Sequence, residues 1–315
     1  MDALAGLLDG PRAQGAFLIK AVLGPPWALE VADEAPLAVF TVLAGTAWLR
    51  HPALGGPDRL GTGDTVVVRG PQPYEVADSP DRAPTLFIGP GGVCRDAAGR
   101  HLAEAMSLGV RTWGNDPAGP TTLLTGAYGQ DGSLGSVGAR LLRALPPVLV
   151  LRRADWDSPL VPLLAAELGR DEPGQEAVLD RLLDLLLITA LRTWFARPAA
   201  AAPAWYAANA DPVVGRALQL LHHNPAHPWT VARLAAATGV SRAALARRFT
   251  ELVGEPPMAF LTGWRLALAA DLLRDPDATL EAVARQVGYG SPFALSTAFK
   301  RVRGVSPRAH RAAAG

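Results

Sequence analysis

Cysteine is nearly absent from this sequence, because Cys94 is the only one among 315 residues. A single cysteine cannot form an internal disulfide, and without a Cys-x-x-Cys pair there is no pattern for a structural zinc site. The sequence also lacks an apolar run of the roughly 18 residues that a membrane helix needs. The N-terminus lacks a basic region ahead of an apolar run, unlike a secretory signal. We therefore expect a cytoplasmic chain that does not contact the membrane.

The motifs of common enzymes are missing as well. No Gly-rich phosphate loop precedes a helix, and the nucleophile-elbow pattern G-x-S-x-G does not occur. Before residue 220 the only histidines are His51 and His101, too few for a catalytic metal centre built from a histidine cluster with a carboxylate. The sequence thus predicts no enzyme activity, no cofactor and no metal.

Length and charge indicate two domains. Domains usually run about 100 to 200 residues, so 315 residues fit two of them. From residue 211 onward there are 13 Arg and Lys against 7 Asp and Glu, a net charge of +6. The whole chain carries +1, which leaves −5 for the preceding part. The basic C-terminal part is where a polyanion would bind.

Short β-rich runs separated by Gly and Pro dominate the N-terminal part. They lie at 37–49, 65–69 and 85–88, and a further candidate strand lies at 121–128. This pattern predicts an all-β domain, compatible with a small barrel, that closes near residue 147.

A Leu-rich helix is predicted over residues 175–197, and it precedes an Ala/Pro run. Its apolar face is so broad that we expect the helix to be buried almost all round. Packing on its own domain and pairing with a second subunit both fit this pattern, so a homodimer through this helix is a candidate assembly. The broad face consists of Leu179, Leu182, Leu183, Leu186, Ala190 and Trp194, widened by Leu185, Leu187 and Leu191.

These boundaries divide the chain into three parts. Residues 1–197 are expected to form one domain, with a β part to about 147 and helices over about 148–197. Residues 198–210 are a linker, because the Ala/Pro run at 198–203 has no apolar periodicity. Residues 211–315 form an all-α domain.

The C-terminal domain contains an internal repeat. Four residues recur 49 positions further on, and four more recur 50 positions further on, so the second copy has one extra residue in its turn. The first set is Val231, Leu234, Ala235 and Gly239, repeated as Leu280, Val283, Ala284 and Gly288. The second set is Leu245, Phe249, Gly254 and Pro257, repeated as Leu295, Phe299, Gly304 and Pro307.

Each copy has the sequence features of helix, tight turn, helix. In the first copy Thr230 and Ser241 are predicted to cap the two helices, and Gly239 permits the backbone reversal. Ala235 is the small residue that lets the two helices cross closely. Thr279, Ser291, Gly288 and Ala284 repeat these roles. A helix over residues 257–274 would join the copies as a rigid spacer.

Four motifs in this region resemble the DNA-binding domain of the AraC/XylS family. They are S-R-x-x-L-x-R-R-F at 241–249, G-x-x-P-x-x-F-L-x-x-W-R-L at 254–266, V-G-Y-x-S at 287–291 and F-K-R-x-x-G-x-S-P at 299–307. The resemblance implies a seven-helix domain with two helix-turn-helix units on one face of double-stranded DNA. It also implies a sequence-specific transcriptional regulator, with RNA polymerase as a candidate partner.

The N-terminal part resembles the cupin-type effector domain of one branch of that family. The resemblance runs through residues 38–77, G-V-R-T-W-G-N-D at 109–116 and L-L-x-A-L-P-P at 141–147. It implies an α+β protein of two domains, with a cupin-like β-barrel that holds a small-molecule effector. Four aromatic residues are candidates for lining such a pocket, although core packing is their commoner role. They are Phe40, Trp48, Tyr74 and Trp113.

Each helix-turn-helix unit predicts a set of DNA contacts, since a helix in the major groove reads bases with its first exposed residues. The first set is Arg242, Ala243, Ala246 and Arg247 toward bases, with Ser241 at the helix start and Arg248 toward the backbone. The second set is Pro292, Phe293, Ala294 and Thr297, with Ser296, Lys300 and Arg301 near phosphates. The second set has few hydrogen-bond donors, and the family often has Arg where Thr297 stands. We therefore expect the first unit to dominate specificity, with Phe293 touching a thymine methyl group.

Three other functions compete with an effector-controlled regulator. A cupin-type metalloenzyme could be fused to the DNA-binding domain, but Tyr74 in P-x-P-Y-E stands where metal-binding cupins usually have a His. A regulator could sense oxidants through Cys94 if its thiol is exposed and has a low pKa, whereas a lone cysteine is more often a small buried hydrophobe. A regulator without an effector would not need some 200 additional residues.

Overall fold

The computed structural model describes residues 17–128, 136, 142, 145–197 and 204–312. Its described residues fall into two compact units. One contains residues 17–128 and 145–197, and the other contains residues 204–312. The first is rich in strands and the second is helical, so the chain has the α+β class that the sequence predicts.

The first unit is built from two sheets. One has the strand order β10-β11-β1-β12-β3-β6-β13 and the other β5-β4-β7-β2-β8-β9. Inward side chains of both sheets share one apolar core, which includes Phe40 and Val66 from the first sheet and Leu49 and Leu60 from the second. The strands are β1 Phe17–Leu23, β2 Ala28–Val31, β3 Leu37–Ala44, β4 Thr46–Arg50, β5 Asp58–Gly61, β6 Thr65–Arg69, β7 Tyr74–Ala77, β8 Leu86–Gly89, β9 Val93–Asp96, β10 Ser107–Gly109, β11 Thr112–Gly114, β12 Thr121–Tyr128 and β13 Val148–Leu151.

Most of the predicted strands are present. The runs at 65–69 and 121–128 are strands with the expected bounds, and the run at 85–88 lies one residue later. The run at 37–49 is two strands, because Gly45 adopts a φ of +75° and reverses the chain between β3 and β4. The β part also continues past the expected boundary near 147, since β13 pairs with β6 in the first sheet.

Two helices complete the first unit, α1 at Leu160–Leu168 and α2 at Gln175–Phe195. Helix α2 packs on β12, where the Tyr128 hydroxyl donates a hydrogen bond to the Leu183 carbonyl at 2.8 Å. Gly126 makes room for this contact, because a Cβ there would lie 2.8 Å from Leu183 Cδ2. The expectation of burial almost all round is wrong, because only one side faces the sheet and Leu185 is 47% exposed.

The second unit is all helical. Seven of its helices lie beyond residue 211 among the described residues, the number that the family resemblance implies. They are α4 Pro212–His223, α5 Val231–Thr238, α6 Arg242–Val253, α7 Pro257–Leu272, α8 Leu280–Gln286, α9 Pro292–Arg303 and α10 Pro307–Ala312. They follow a short helix, α3, at Ala204–Ala207.

Part of the expected linker belongs to this second unit. Residues 204–210 are helical, and Trp205 is buried. Gly215 in the first turn of α4 is needed for close packing, because a Cβ there would lie 2.5 Å from the carbonyl oxygen of Asn209. The linker is therefore shorter than the sequence pattern indicated.

Within the described residues, none of the helices combines the length and hydropathy that crossing a bilayer requires.

Candidate nucleic-acid interface and ligand cavity

The first helix-turn-helix unit consists of α5, a turn and α6. Thr230 and Ser241 cap the two helices by accepting hydrogen bonds from the backbone N–H groups of Arg233 and Ala244. Gly239 ends α5 in the left-handed conformation, with φ +72°. These contacts confirm the local roles that the sequence predicts, and they fix where α6 begins.

Buried residues of α6 determine which side of the helix faces outward. Leu245 and Phe249 are fully buried, so the side chains between them project away from the core. The predicted contact residues lie on or beside the outward side. Ser241, Arg242, Ala243, Arg247 and Arg248 are exposed, and Ala246 is half-buried.

The three arginines of α6 have different environments. Arg242 heads the helix, and Arg247 lies 3.7 Å from Glu251 in an exposed ion pair, a type of pair worth little. Arg248 instead donates a hydrogen bond from Nε to Asp211 Oδ2 at 2.7 Å. Asp211 is the N-cap of α4. Arg248 therefore joins two helices of its own domain rather than pointing freely toward DNA.

The electrostatics of Asp211 support this assignment. Partial burial raises the pKa of its carboxyl group, but the N–H of Val214, the guanidinium of Arg248 and the N–H of Val213 together hold that pKa below its usual range. The carboxylate is thus the stable form and pairs with Arg248 near neutral pH. Sequence patterns did not predict this pairing, because 37 residues separate the two partners.

The second helix-turn-helix unit repeats this geometry in α8 and α9. Thr279 and Ser291 accept hydrogen bonds from the N–H groups of Ala282 and Ala294, and Gly288 has φ +83°. The predicted contacts again lie on the outward side. Phe293, Ala294, Thr297, Lys300 and Arg301 are exposed, and Pro292 and Ser296 are half-buried.

Phe293 distinguishes the surface of the second unit. It is 81% exposed, more than any other large apolar side chain in the described part of the chain. It follows Pro292 at the start of α9, the end of a recognition helix that approaches base edges. An exposed phenyl ring can contact a thymine methyl group but cannot donate a hydrogen bond.

Arg265 joins the two helix-turn-helix units, a role that the sequence pattern did not predict. Its guanidinium donates to the carbonyl oxygens of Pro225 and His227 at 2.7 and 2.8 Å. It also lies over the ring of Tyr289, 6.0 Å from the centroid. The W-R-L and V-G-Y-x-S motifs therefore meet in space. This contact fixes the turn between α8 and α9 against the loop that precedes α5.

The strand-rich N-terminal unit, residues 17–128 and 145–197, contains a cavity of about 520 Å³ between its sheets. This volume is within the usual range for small-molecule sites. Two small residues of the large sheet leave room for the cavity. Ala38 and Ala127 pair across β3 and β12, and both line the cavity. Leu124, Gly126 and Tyr128 alternate with the lining residues of β12.

Three of the four predicted aromatic candidates line this cavity, namely Phe40, Tyr74 and Trp113. Trp48 does not. It lies between Ala47 and Leu49, both fully buried, and alternate residues of a strand point to opposite faces. Trp48 therefore faces outward, and its prediction as a pocket residue is wrong.

Tyr74 supplies a neutral polar group among these apolar walls. Its ring stacks on Phe40 at a centroid distance of 6.0 Å and an interplanar angle of 4°. Burial raises the pKa of the Tyr74 hydroxyl, and the carboxylate of Asp33 raises it further. The phenol stays protonated at physiological pH.

Besides Tyr74 and Cys94, the ionisable side chains among the lining residues are Asp33, His101 and Arg111. Asp33 Oδ1 accepts a hydrogen bond from the N–H of Ala35 at 3.1 Å. Arg111 adopts a φ of +46°, which is uncommon for a residue other than glycine. Its carbonyl accepts a hydrogen bond from the N–H of Lys20 at 2.9 Å, which holds this backbone in place.

Cys94 also lines the cavity and is buried. Burial raises the pKa of its thiol to about 11. A reactive sensor needs an accessible thiol with a low pKa. The environment of Cys94 is therefore that of a small buried hydrophobe.

The residues that a cupin would use to hold a metal do not fit one here. Tyr74 occupies the expected ligand position, and a protonated phenol is a poor ligand. His51 is buried, and its Nδ1 accepts a hydrogen bond from the N–H of Ala53 at 3.0 Å. Burial lowers the pKa of His51. Among the described residues, no three His, Cys, Asp or Glu side chains are grouped to hold a metal ion.

Family models match both parts of the chain. A model described as "Cupin" matches residues 2–196, and one described as "Helix-turn-helix domain" matches residues 234–313.

Two relatives match this chain over nearly its full length, and one solved structure matches its C-terminal third. A putative AraC-like transcription regulator of Streptomyces lividans is 33% identical over 99% of this chain and 98% of its own. The transcriptional regulator AlkR of Acinetobacter baylyi is 29% identical over 99% of each chain. The DNA-binding domain of AdpA, solved with a target DNA, is 37% identical over 33% of this chain and 92% of that one, with a TM-score of 0.31.

Proposed function

Because this chain belongs to the family of AraC-like transcription regulators, we propose that it reads an operator through both helix-turn-helix units under the control of a small-molecule effector. The observation that carries the DNA-reading part is the doubled unit, with its four caps and two outward recognition helices. The cavity of the cupin domain supports the effector part.

In the first unit, Arg242 and Arg247 are the proposed base readers. Both are exposed on the outward side of α6, and an arginine can donate two hydrogen bonds to one guanine. Ala243 and Ala246 have small side chains, so the helix can approach the groove closely. Arg248 contributes by holding α4 and α6 together through Asp211.

In the second unit, Phe293 is the proposed reader, and its contact is apolar. Ser296, Lys300 and Arg301 lie further along α9 and are placed for phosphate contacts. Because Thr297 offers one hydroxyl where an arginine would offer five donors, the first unit is expected to carry most of the base discrimination.

Several further features are part of this proposal. Val178 and Leu185 leave an exposed apolar stripe on α2, which supports the homodimer through that helix. RNA polymerase is the proposed partner on DNA, and the cytoplasm is the proposed location because the operator is there. No enzyme activity is proposed, since the relatives are named as transcription regulators.

Fluorescence anisotropy tests the DNA-reading part. The purified protein is titrated with its own upstream DNA and with scrambled DNA at two salt concentrations. Arg242→Ala and Arg247→Ala should each lose about 1–3 kcal/mol of preference for the operator. Arg59→Ala, which removes the same charge from an exposed site on β5, is the control and should bind as the wild type does. Equal binding of both DNAs, extended to genome-wide fragments, would sink the proposal.

Thymine methyl groups can be tested directly. Replacing thymine by uracil in the bound operator removes only the methyl group. If Phe293 reads one, a single uracil position should weaken wild-type binding, and Phe293→Ala should bind both DNAs equally. Uracil that has no effect at any position would contradict the apolar contact.

A further inference from the structure

We propose that the cavity of the cupin domain binds a monocarboxylate with an apolar body, and that Arg111 recognises its carboxylate. This inference deepens the effector part of the proposed function and depends on it. It rests on the apolar walls of the cavity, on the hydrogen-bond partners of its charged side chains and on the fixed backbone of Arg111.

The walls of the cavity select an apolar body. Most of its lining is aliphatic or aromatic, as in Leu29, Val76 and Leu123. Ala38 and Ala127 leave space where larger side chains would close the core. A polar molecule would lose its hydration here without gaining hydrogen bonds in return.

Arg111 is the charged lining residue best placed to bind a ligand. It is half-buried, and its side chain forms no hydrogen bond or ion pair with any residue that the structure describes. Burial raises the pKa of the Asp180 carboxyl group on α2 and the positive charge of Arg111 lowers it in part, but the two side chains do not form an ion pair. Asp33 is already engaged by Ala35. Within the described part of the chain, the guanidinium donors are thus unoccupied and available for a ligand.

The geometry of the β10–β11 hairpin keeps Arg111 at this site. Its positive φ is uncommon, and it is stabilised by the bond from Lys20 and by the Thr112 hydroxyl, which donates to the carbonyl of Val110 at 3.0 Å. A planar guanidinium pairs with a planar carboxylate through two parallel hydrogen bonds. Asp33 lines the same cavity, so it would repel a dianion such as phosphate more than a monocarboxylate.

Isothermal titration calorimetry on the full chain tests the head group with matched probes. Decanoate is compared with decanol, and naphthalene-2-carboxylate with its methyl ester. In the wild type, at least one carboxylate should bind about tenfold or more tightly than its neutral partner, as a charge-assisted pair implies. Arg111→Asn should abolish that difference while neutral binding stays. Asparagine tolerates positive φ, so this variant should fold.

Three further variants make the outcomes distinct. Arg95→Asn removes a charge from the outer face of β9, beside Cys94, and should behave as the wild type. Arg111→Lys should keep part of the preference. Ala127→Leu fills the cavity and should abolish binding of every probe. Equal binding of acid and neutral partner by wild type and Arg111→Asn would overturn the head-group inference alone. No binding of any probe would overturn both it and the effector part of the proposed function, leaving DNA reading intact.

Discussion

The pairing of Asp211 with Arg248 predicts that Arg248 stabilises the DNA-binding domain instead of binding phosphate. Asp211 Oδ1 accepts hydrogen bonds from the N–H groups of Val213 and Val214 at 3.0 and 2.9 Å. Its other oxygen accepts the Arg248 bonds. One carboxylate thus caps α4 and holds α6, and substitutions can separate these two contributions.

The expected losses follow from the contacts. Asp211→Asn keeps a capping oxygen and removes the charge, so it should cost about 0.5–1 kcal/mol, the value of a partly exposed ion pair. Arg248→Gln should cost about the same. Asp211→Ala also removes the cap and should cost about 1–3 kcal/mol. The double variant Asp211→Asn with Arg248→Gln should be about as stable as either single one, because both break one interaction.

Hydrogen exchange of the amides in Pro212–His223 measures these losses locally, which avoids assuming two-state unfolding of a two-domain chain. The pH dependence provides a second check. The folded pKa of Asp211 lies below its unfolded value, so the stabilisation is present above the unfolded pKa and is lost as pH falls through the folded one. The losses of Asp211→Asn and Arg248→Gln relative to the wild type should therefore shrink in acid.

DNA binding supplies the refuting result. Arg301→Gln removes an exposed charge that is proposed to lie near a phosphate, so it should reduce the salt dependence. Arg248→Gln should leave the slope of log affinity against log salt unchanged at conditions where the protein is folded. If Arg248→Gln lowers that slope by about one and leaves exchange in α4 unaltered, the sequence-based assignment to phosphate is correct and the structural one fails.

Three other substitutions or reactions have defined outcomes. Gly288→Ala should destabilise the domain more than Gly239→Ala in chemical unfolding. Both have positive φ, costing about 1–2 kcal/mol, but only at Gly288 would a Cβ meet backbone, 2.7 Å from Ala226; equal losses would contradict this. Cys94 should react with iodoacetamide far more slowly than free cysteine at neutral pH, and a comparable rate would contradict its burial. Tyr128→Phe should cost about 0.5–1.5 kcal/mol of stability in the cupin domain, and no loss would show that its bond to α2 is dispensable.

Features set by near neighbours in sequence were predictable. The caps Thr230 and Ser241 and the turn at Gly239 depend on contacts within a few residues, so a repeat in sequence was enough to find them. Strand β12 was predictable too, because its β-rich run is bounded by turn residues at both ends.

Features set by distant neighbours were not predictable. The outward direction of Trp48 depends on which face of β4 meets the core, and Ala47, Trp48 and Leu49 are all apolar, so alternation gives no phase. Arg248 looked like an ordinary basic residue of a recognition helix, because nothing near it in sequence shows Asp211. The cavity depends on Ala38 and Ala127, which pair only once the sheet has formed.

Strand β12 separates the cavity from helix α2 by a single layer of backbone. Its residues alternate, so Thr125 and Ala127 face the cavity while Gly126 and Tyr128 contact Leu183 of the helix. A ligand that shifts the β12 backbone from the cavity side would also shift the surface on which α2 packs. Occupancy of the cavity and the packing of α2 would then be thermodynamically linked, and such a linkage is reciprocal. A partner that binds the outer side of α2 would change ligand affinity by the same factor by which the ligand changes the partner's.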